Sequence, residues 1–310
     1  MYFGGIYWVL AQLLTERIQM VEGHFIIKEG NLISYVGNAA KAVVPDGVER
    51  ICEWAFYGND SLTEVVLPKG VKSIGEKAFC SCSRLERVTF PEGLKRIGAK
   101  AFRDCVALTE IALPLGLVRI GKRAFCGCTS LTRVVISEGT KRIDNEAFNG
   151  CGALTEVTLP DSIEAIGKCA FNGVSAVGVI HTSPCTMQFL ESEGSEGAWA
   201  AAIRGFLTRY FADKNDGTER VELSSELKAE WKRYISRRTV KVFRLLALEP
   251  LLFRWYLAEY GNASPERLEE LALKTDNIEC RAMLMDRAHK LKKKEKSVEE
   301  IVDGRLSLEI

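Results

Sequence analysis

Histidine is almost missing from this chain of 310 residues: only three occur, at 24, 181 and 289. They lie far apart in the sequence, so local spacing encodes no histidine-based metal cluster or catalytic pair. A Gly-rich phosphate loop, a paired-carboxylate motif and a nucleophile elbow are also absent. No charge of one sign prevails either. Lysine and arginine number 42 against 41 aspartate and glutamate, a formal net charge of +1. That balance creates no global field drawing the chain to nucleic acid or an anionic membrane. Together these absences predict a protein that is not an enzyme and that needs no cofactor and no metal.

Long apolar runs are scarce as well. The N-terminal run over residues 4–14 is eleven residues long, whereas a spanning helix needs about 20. No lysine or arginine precedes it and no small-residue cleavage site comes after it, so it does not read as a signal peptide. It reads as a short amphipathic helix packed on the first turn of a solenoid, or as an extension ahead of a true start at Met20. No membrane insertion is expected, and the expected location is cytoplasmic.

What the chain does have is a repeat. Phenylalanine falls at 56, 79, 102, 125, 148 and 171, each time after alanine. Isoleucine falls five residues earlier, at 51, 74, 97, 120, 143 and 166. Leucine recurs at 62, 85, 108, 131 and 154, with Val177 in the sixth copy. The period is 23 residues over 43–180, within the range of leucine-rich solenoids. Ser61 to Phe79 shows the plan. Leu62, Val65 and Leu67 point inward, the last two from one face of a short strand. Pro68 and Gly70 end that strand and turn the chain. Val71 and Ile74 return to the core, and Ala78-Phe79 fills the far corner. No turn encloses a core alone, so each buries its apolar edge against the next. Residues 24–36 alternate around Glu29-Gly30-Asn31 and predict a hairpin that caps the first rung.

The unit L-T-x-V-x-L-P-x-G-V-x-x-I-G-x-x-A-F-x-x-C resembles the repeat of the BspA-like leucine-rich repeat family, over roughly residues 24–180. The resemblance implies a curved, right-handed solenoid that binds other macromolecules, often at bacterial surfaces. It brings no catalytic residues with it. A cell-surface adhesin is therefore the alternative to a cytoplasmic scaffold.

Ten cysteines invite a disulfide or metal reading, but Cys82, Cys105, Cys128 and Cys151 share one slot of the repeat. Asn59 holds that slot in the first copy and Val174 in the last. A row of similar thiols specifies no pairing. The slot reads as a small, partly buried site filled by reduced thiols, which favours a cytosolic compartment. The CxC pairs Cys80/Cys82 and Cys126/Cys128 lie two repeats apart, and Arg103 and Asn149 replace the first cysteine in other copies. Four converging ligands are not encoded.

Function in a repeat protein rests on outward slots. One row reads Lys41, Glu64, Arg87, Glu110, Arg133, Glu156, alternating in sign on every rung. Lateral neighbours of opposite charge fix register and keep the face soluble, or they contact a partner. Beside it runs a strip of small side chains, Val43, Val66, Thr89, Ala112, Val135 and Thr158, which suits a protein or peptide and offers no aromatic platform for bases or sugars. A second row carries Arg50, Arg96, Arg119 and Arg142, interrupted by Ser73. Lys95, Lys100, Arg103, Lys122, Arg123 and Lys141 lie nearby, with Glu92, Asp104, Glu138 and Asp144 as counter-charges. This row is either a solvated face or a dock for an acidic partner. The expected partner is a protein or peptide, and no nucleic acid is expected.

The repeat decays after residue 180. His181 and Cys185 are four apart, but Pro184 disfavours helix between them; a cysteine-dependent enzyme built on this pair is kept as a second alternative. Residues 191–197 read as a linker. Helical spacing then takes over, first at Trp199, Ile203, Phe206, Leu207 and Tyr210. Further helices are expected over 223–238, 240–248, 251–260, from Ser264, and over 277–296. Lys290, Lys292, Lys293, Lys294 and Lys296 are expected at a helix C-terminus, where cations favour the macrodipole. Short helices with brief turns resemble ankyrin-like hairpin arrays. The fold class is thus α+β: a solenoid of six repeats with short parallel strands, then an all-α helical-hairpin domain. The segments are 1–42 (helix and capping hairpin), 43–180 (solenoid), 181–197 (linker) and 198–310 (helices).

Overall fold

Each 23-residue unit folds into two short strands, because its apolar slots alternate on a pleated backbone and proline and glycine then end the ladder. The computed structural model describes residues 19–21, 24–173, 179–182, 186–187, 189–190, 196–211, 225–237, isolated positions between 242 and 257, and 264–302. The N-terminal run 4–14, Val174, Val177, Pro184, Cys185, residues 191–195, and most of 240–248 and 251–260 lie outside them.

The longer strands form a first row: β4 (Lys41–Val43), β6 (Glu64–Val66), β8 (Arg87–Thr89), β10 (Glu110–Leu113), β12 (Arg133–Ile136), β14 (Glu156–Thr158) and β16 (Val179–His181). Two-residue strands form the second: β5 (Arg50–Ile51), β7 (Ser73–Ile74), β9 (Arg96–Ile97), β11 (Arg119–Ile120), β13 (Arg142–Ile143) and β15 (Ala165–Ile166). Pairing is parallel and in register, Ile51 with Ile74 and Ile97 with Ile120, so each slot stacks on the same slot of the next rung. The second row is unbroken. It continues into an antiparallel hairpin of β2 (Phe25–Lys28) and β3 (Asn31–Tyr35), with β1 (Gln19–Val21) outside. This is the cap that the alternation over 24–36 predicts.

The core is a column of rings. The six phenylalanines of the repeat are at most 1% exposed. They stack with centroids 4.6, 5.0, 5.1, 5.2 and 5.3 Å apart and planes within 15°. Tyr35 and Phe25 of the hairpin extend the column, 5.0 Å from Phe56 and 4.9 Å from each other. The cap therefore supplies the first two rings of the core as well as a strand edge.

The cysteine slot corrects the sequence expectation. Cys82, Cys105, Cys128 and Cys151 are fully buried, not partly so. Each thiol donates to the phenylalanine carbonyl of the rung before it: Cys82 to Phe56 at 3.0 Å, Cys105 to Phe79 at 3.1 Å, Cys128 to Phe102 and Cys151 to Phe125 at 3.2 Å. Asn59, in the same slot, donates from Nδ2 to the Gly37 carbonyl at 2.9 Å. In these five rungs the slot holds a small donor that satisfies a buried carbonyl. All nine described cysteines are free.

Close approach also explains the glycine after the second-row isoleucine. A Cβ on Gly98 would lie 2.6 Å from the Gly75 carbonyl carbon, and one on Gly121 2.6 Å from that of Gly98. At the far end, α1 (Glu196–Phe211) brings Gly205 against β16, where a Cβ would lie 2.6 Å from the Ile180 oxygen. Sequence spacing marks Trp199, Ile203, Phe206 and Leu207 as one buried face; Ala198, Ala201 and Ala202 are buried too, so this helix is enclosed on more than one side.

The chain divides into two compact units, Met1–Gly205 and Phe206–Ile310. In the second, Phe206 stacks on Trp231 of α2 (Ser225–Ser236) at 4.2 Å. The Oγ of Ser264 accepts from the Arg267 N–H and caps α3 (Pro265–Leu273), as the Ser-Pro-Glu signal predicts. Leu268, Leu271 and Ala272 are buried on the helix that packs against α4 (Ile278–Val302). The Oδ1 of Asn277 accepts from Cys280 N–H at 3.0 Å and starts α4. One expectation fails here. Because α4 runs on to Val302, the lysines at 290–296 lie in its body, not at its C-terminus. Pairing replaces the macrodipole as their partner: Lys290 meets Asp286 at 2.7 Å and Lys292 meets Glu269 at 2.8 Å.

This packing has two measurable consequences. Truncating Phe102 to alanine leaves a hole in the middle of the ring column and should cost about 3–5 kcal/mol, read as a fall in the urea midpoint. Burial pushes the Cys82 thiol up to about 12 and the Cys105 thiol well above its ordinary value. The column cysteines of the native protein should therefore resist a disulfide reagent at mildly alkaline pH and react fully once unfolded in guanidinium.

Candidate interaction surfaces of the solenoid

The first row of outward charges is set by β pairing. Lys41, Glu64 and Arg87 lie side by side, as do Glu110, Arg133 and Glu156. Lys41 Nζ is 2.9 Å from Glu64 Oε1, and Arg87 Nη2 is 3.9 Å from Glu64 Oε2. Arg133 Nε is 3.4 Å from Glu156 Oε2. The hydrogen bond from Lys41 holds the Glu64 carboxyl below its ordinary value. His181 Nε2 reaches to 3.8 Å from Glu156 Oε1, a neighbour that the charge alternation alone does not reveal.

This row is not the continuous ladder that the sequence suggests. β4, β6 and β8 form one sheet and β10, β12, β14 and β16 another, so Arg87 and Glu110 are not paired. The cause lies in the third copy. Phe90 takes the slot that Leu67, Leu113 and Leu159 fill in others, and those leucines are nearly fully buried. The larger ring is only half-buried and stands edge-on to Phe102 at 5.7 Å. Val88 beside it is half-buried, where its equivalents are buried. The strip of small residues is split at the same point, into Val43, Val66 and Thr89, and Ala112, Val135 and Thr158.

The second row is governed by one carboxylate. Asp144 replaces the glycine found at 75, 98, 121 and 167. It accepts from Arg119 Nε at 2.9 Å and Nη2 at 2.6 Å through one oxygen, and from Arg142 Nε at 2.7 Å through the other. Its side chain is 9% exposed. Arg119 and Arg142 are thereby tied down. Arg50 and Arg96 are exposed; among the described residues neither guanidinium has a hydrogen-bond or ion-pair partner. A groove of about 390 Å³ runs along this row, lined by Arg50, Ser73, Gly75, Arg96, Gly98, Arg119 and Asp144 among others.

A third row is invisible in the repeat pattern. Trp54, Lys77, Lys100, Arg123, Glu146 and Cys169 all have φ between 53° and 64°, the left-handed region where glycine is the usual resident. No copy has glycine there. Lys77 Nζ lies 3.9 Å over the Trp54 ring, and Arg123 pairs with Glu146 at 2.6 Å.

Of the His181/Cys185 pair, His181 lies at the end of β16, and Cys185 is outside the described residues. Among the described residues no group of three or more histidine, cysteine, aspartate or glutamate side chains is placed to hold a metal ion. No described helix is long and apolar enough to cross a membrane.

In-register rungs of one period, closed by a hairpin at one end, define a leucine-rich repeat solenoid. Residues 35–182 are a BspA type leucine-rich repeat region, matched by the family's model in six copies. A leucine-rich repeat protein of T. pallidum is 30% identical, over 60% of this chain and 96% of that one, at a TM-score of 0.49. The pneumococcal vaccine antigen PcpA is 22% identical, over 58% and 46%, at 0.50. A leucine-rich cell surface protein of Faecalibacterium prausnitzii is 26% identical, over 54% of each chain, at 0.41. The match spans about half the length of these last two. No curated protein matches the chain.

Because the folded state holds the Glu64 carboxyl low, its contribution is present above the ordinary glutamate pKa and is lost as pH falls through the lowered value. Glu64→Gln should lower the melting midpoint slightly, by about 2 °C or less, at neutral pH. The gap to wild type should close on acidification below about pH 4 and narrow in about 0.5 M salt, as thermal melts would record.

Proposed function

We propose that this chain is a non-enzymatic interaction scaffold that holds a protein or peptide partner on the outward rows of its solenoid. The candidate contacts are Lys41, Glu64, Arg87, Glu110, Arg133 and Glu156 on the first row and Arg96, Arg119 and Arg142 on the second. The observation behind this is registered stacking: each outward slot recurs on the next rung, so rows of side chains stand at strand spacing before any partner arrives. Preorganisation of that kind lowers the entropy cost of association. The small-residue strip leaves a flat lane beside the first row. Alternating charge cancels the field that a nucleic acid would require. The solenoid of 43–180 is assigned the binding role, and the helices of 198–310 recruit a second partner.

Location separates two versions of this function, a cytoplasmic scaffold and a cell-surface adhesin. The thiol column does not choose between them. Buried thiols with raised pKa are protected from oxidation in either compartment. Fractionation of the source cell chooses: recovery only from the cytosol removes the adhesin, and recovery at the surface removes the cytoplasmic version.

Partners captured from the source cell on the intact chain, then purified, should bind it saturably in calorimetry. Arg87→Gln with Glu110→Gln, at the break where neighbours compensate least, should weaken a first-row partner by about tenfold with an unchanged melt. If no captured protein binds directly once both components are pure, the proposal fails.

A further inference from the structure

The groove along the second row has two unlike ends. At one, Asp144 occupies a glycine slot and accepts hydrogen bonds from both Arg119 and Arg142. At the other, Arg50 and Arg96 flank Ser73, two rungs apart on β5, β7 and β9, which pair in register. Two strand spacings place them about 9.6 Å apart. Serine in place of a third arginine leaves the space between them open at this end of the groove, which is about 390 Å³ over its whole length. Lys122 lines the same groove, and its carboxylates are Asp144 and Glu76, the latter 4.0 Å from Lys77. The open end is thus basic and concave, and among the described residues its two arginines have no ion-pair partner.

Resting on the scaffold function above, we propose that this groove takes an acidic, extended segment of a partner protein. The segment lies along the stack, across the strands, with one carboxylate on Arg50 and the next on Arg96. Spacing selects its conformation. A polyproline II chain advances about 3.1 Å per residue with three residues per turn. Every third side chain therefore lies on one face, about 9.3 Å further along, close to the two-rung separation. A β-strand does not match: its same-face neighbours fall at about 6.7 and 13 Å. The recognised sequence is an acidic residue at every third position in a proline-rich context. Arginine suits it, because the guanidinium fork donates two parallel hydrogen bonds to a carboxylate.

The test uses the full chain and labelled peptides in fluorescence anisotropy at low salt. One peptide has three Glu-Pro-Pro units, one has three Gln-Pro-Pro units, and one has its three glutamates adjacent, with the prolines after them. The first should bind, the second should not, and the third should bind several-fold more weakly. Arg50→Gln with Arg96→Gln should weaken the first by about tenfold or more; both side chains are exposed, and a melt checks the fold. Asp144→Asn, which frees Arg119 and Arg142, should tighten it. Equal binding of the glutamine peptide overturns the proposal. So does a folded Arg50/Arg96 variant that binds the acidic peptide like wild type, or stronger binding of an oligodeoxythymidylate. Where the Arg50/Arg96 variant still binds the acidic peptide like wild type and a purified partner still binds through the first row, this inference falls and the scaffold function stands.

Discussion

A rung can stack only where its backbone comes within hydrogen-bonding distance of the next, as Phe102 N does with Ala124 O at 2.7 Å. That approach dictates the side chains around it. Glycine comes after the second-row isoleucine because a Cβ would strike the rung before it. Phenylalanine can stack on phenylalanine because the backbone spacing, close to 5 Å, is also a good separation for stacked rings. A thiol reaches a carbonyl one rung back for the same reason. Repetition at 23 residues is the visible trace of this single contact, multiplied along the chain.

Stacking leaves two exposed ends, and each is closed by something other than a repeat. The hairpin of β2 and β3 gives the first rung a strand edge and two aromatic rings. At the other end Gly205 of α1 lies against Ile180. Both ends solve the same problem, an apolar face and an unpaired strand edge left over when the repeats run out. One uses a sheet and the other a helix.

Departures from the repeat are where individuality enters. Phe90 in a leucine slot separates two sheets and divides a charge row that strict repetition would have kept whole. Asp144 in a glycine slot fastens two arginines. Ser73 in an arginine slot opens a groove between two others. Each is a single substitution against the pattern, and each acts on rungs other than its own. A uniform array would offer one average surface, whereas these positions make its faces differ.

Period, inward slots, capping hairpin and the start of α3 are all legible in the residues, because each depends on local propensity or on a spacing repeated many times. The slot that Asn59 shares with the cysteines is visible as a slot but not as a donor, since its acceptor is a carbonyl 22 or 26 residues back. The position of the lysines within α4 is not legible, because helix length depends on packing as well as on caps. Outward charge can be read as alternation, yet which charges remain available cannot. Asp144 stands among four nearby counter-charges in the sequence. Only the stacking of rungs brings it between Arg119 and Arg142 and leaves Arg50 and Arg96 without a partner among the described residues. By itself, then, the sequence determined the solenoid, through a periodicity that recurs from rung to rung. The tertiary structure decided the surface, because the free charge of a side chain depends on neighbours that lie a whole turn away.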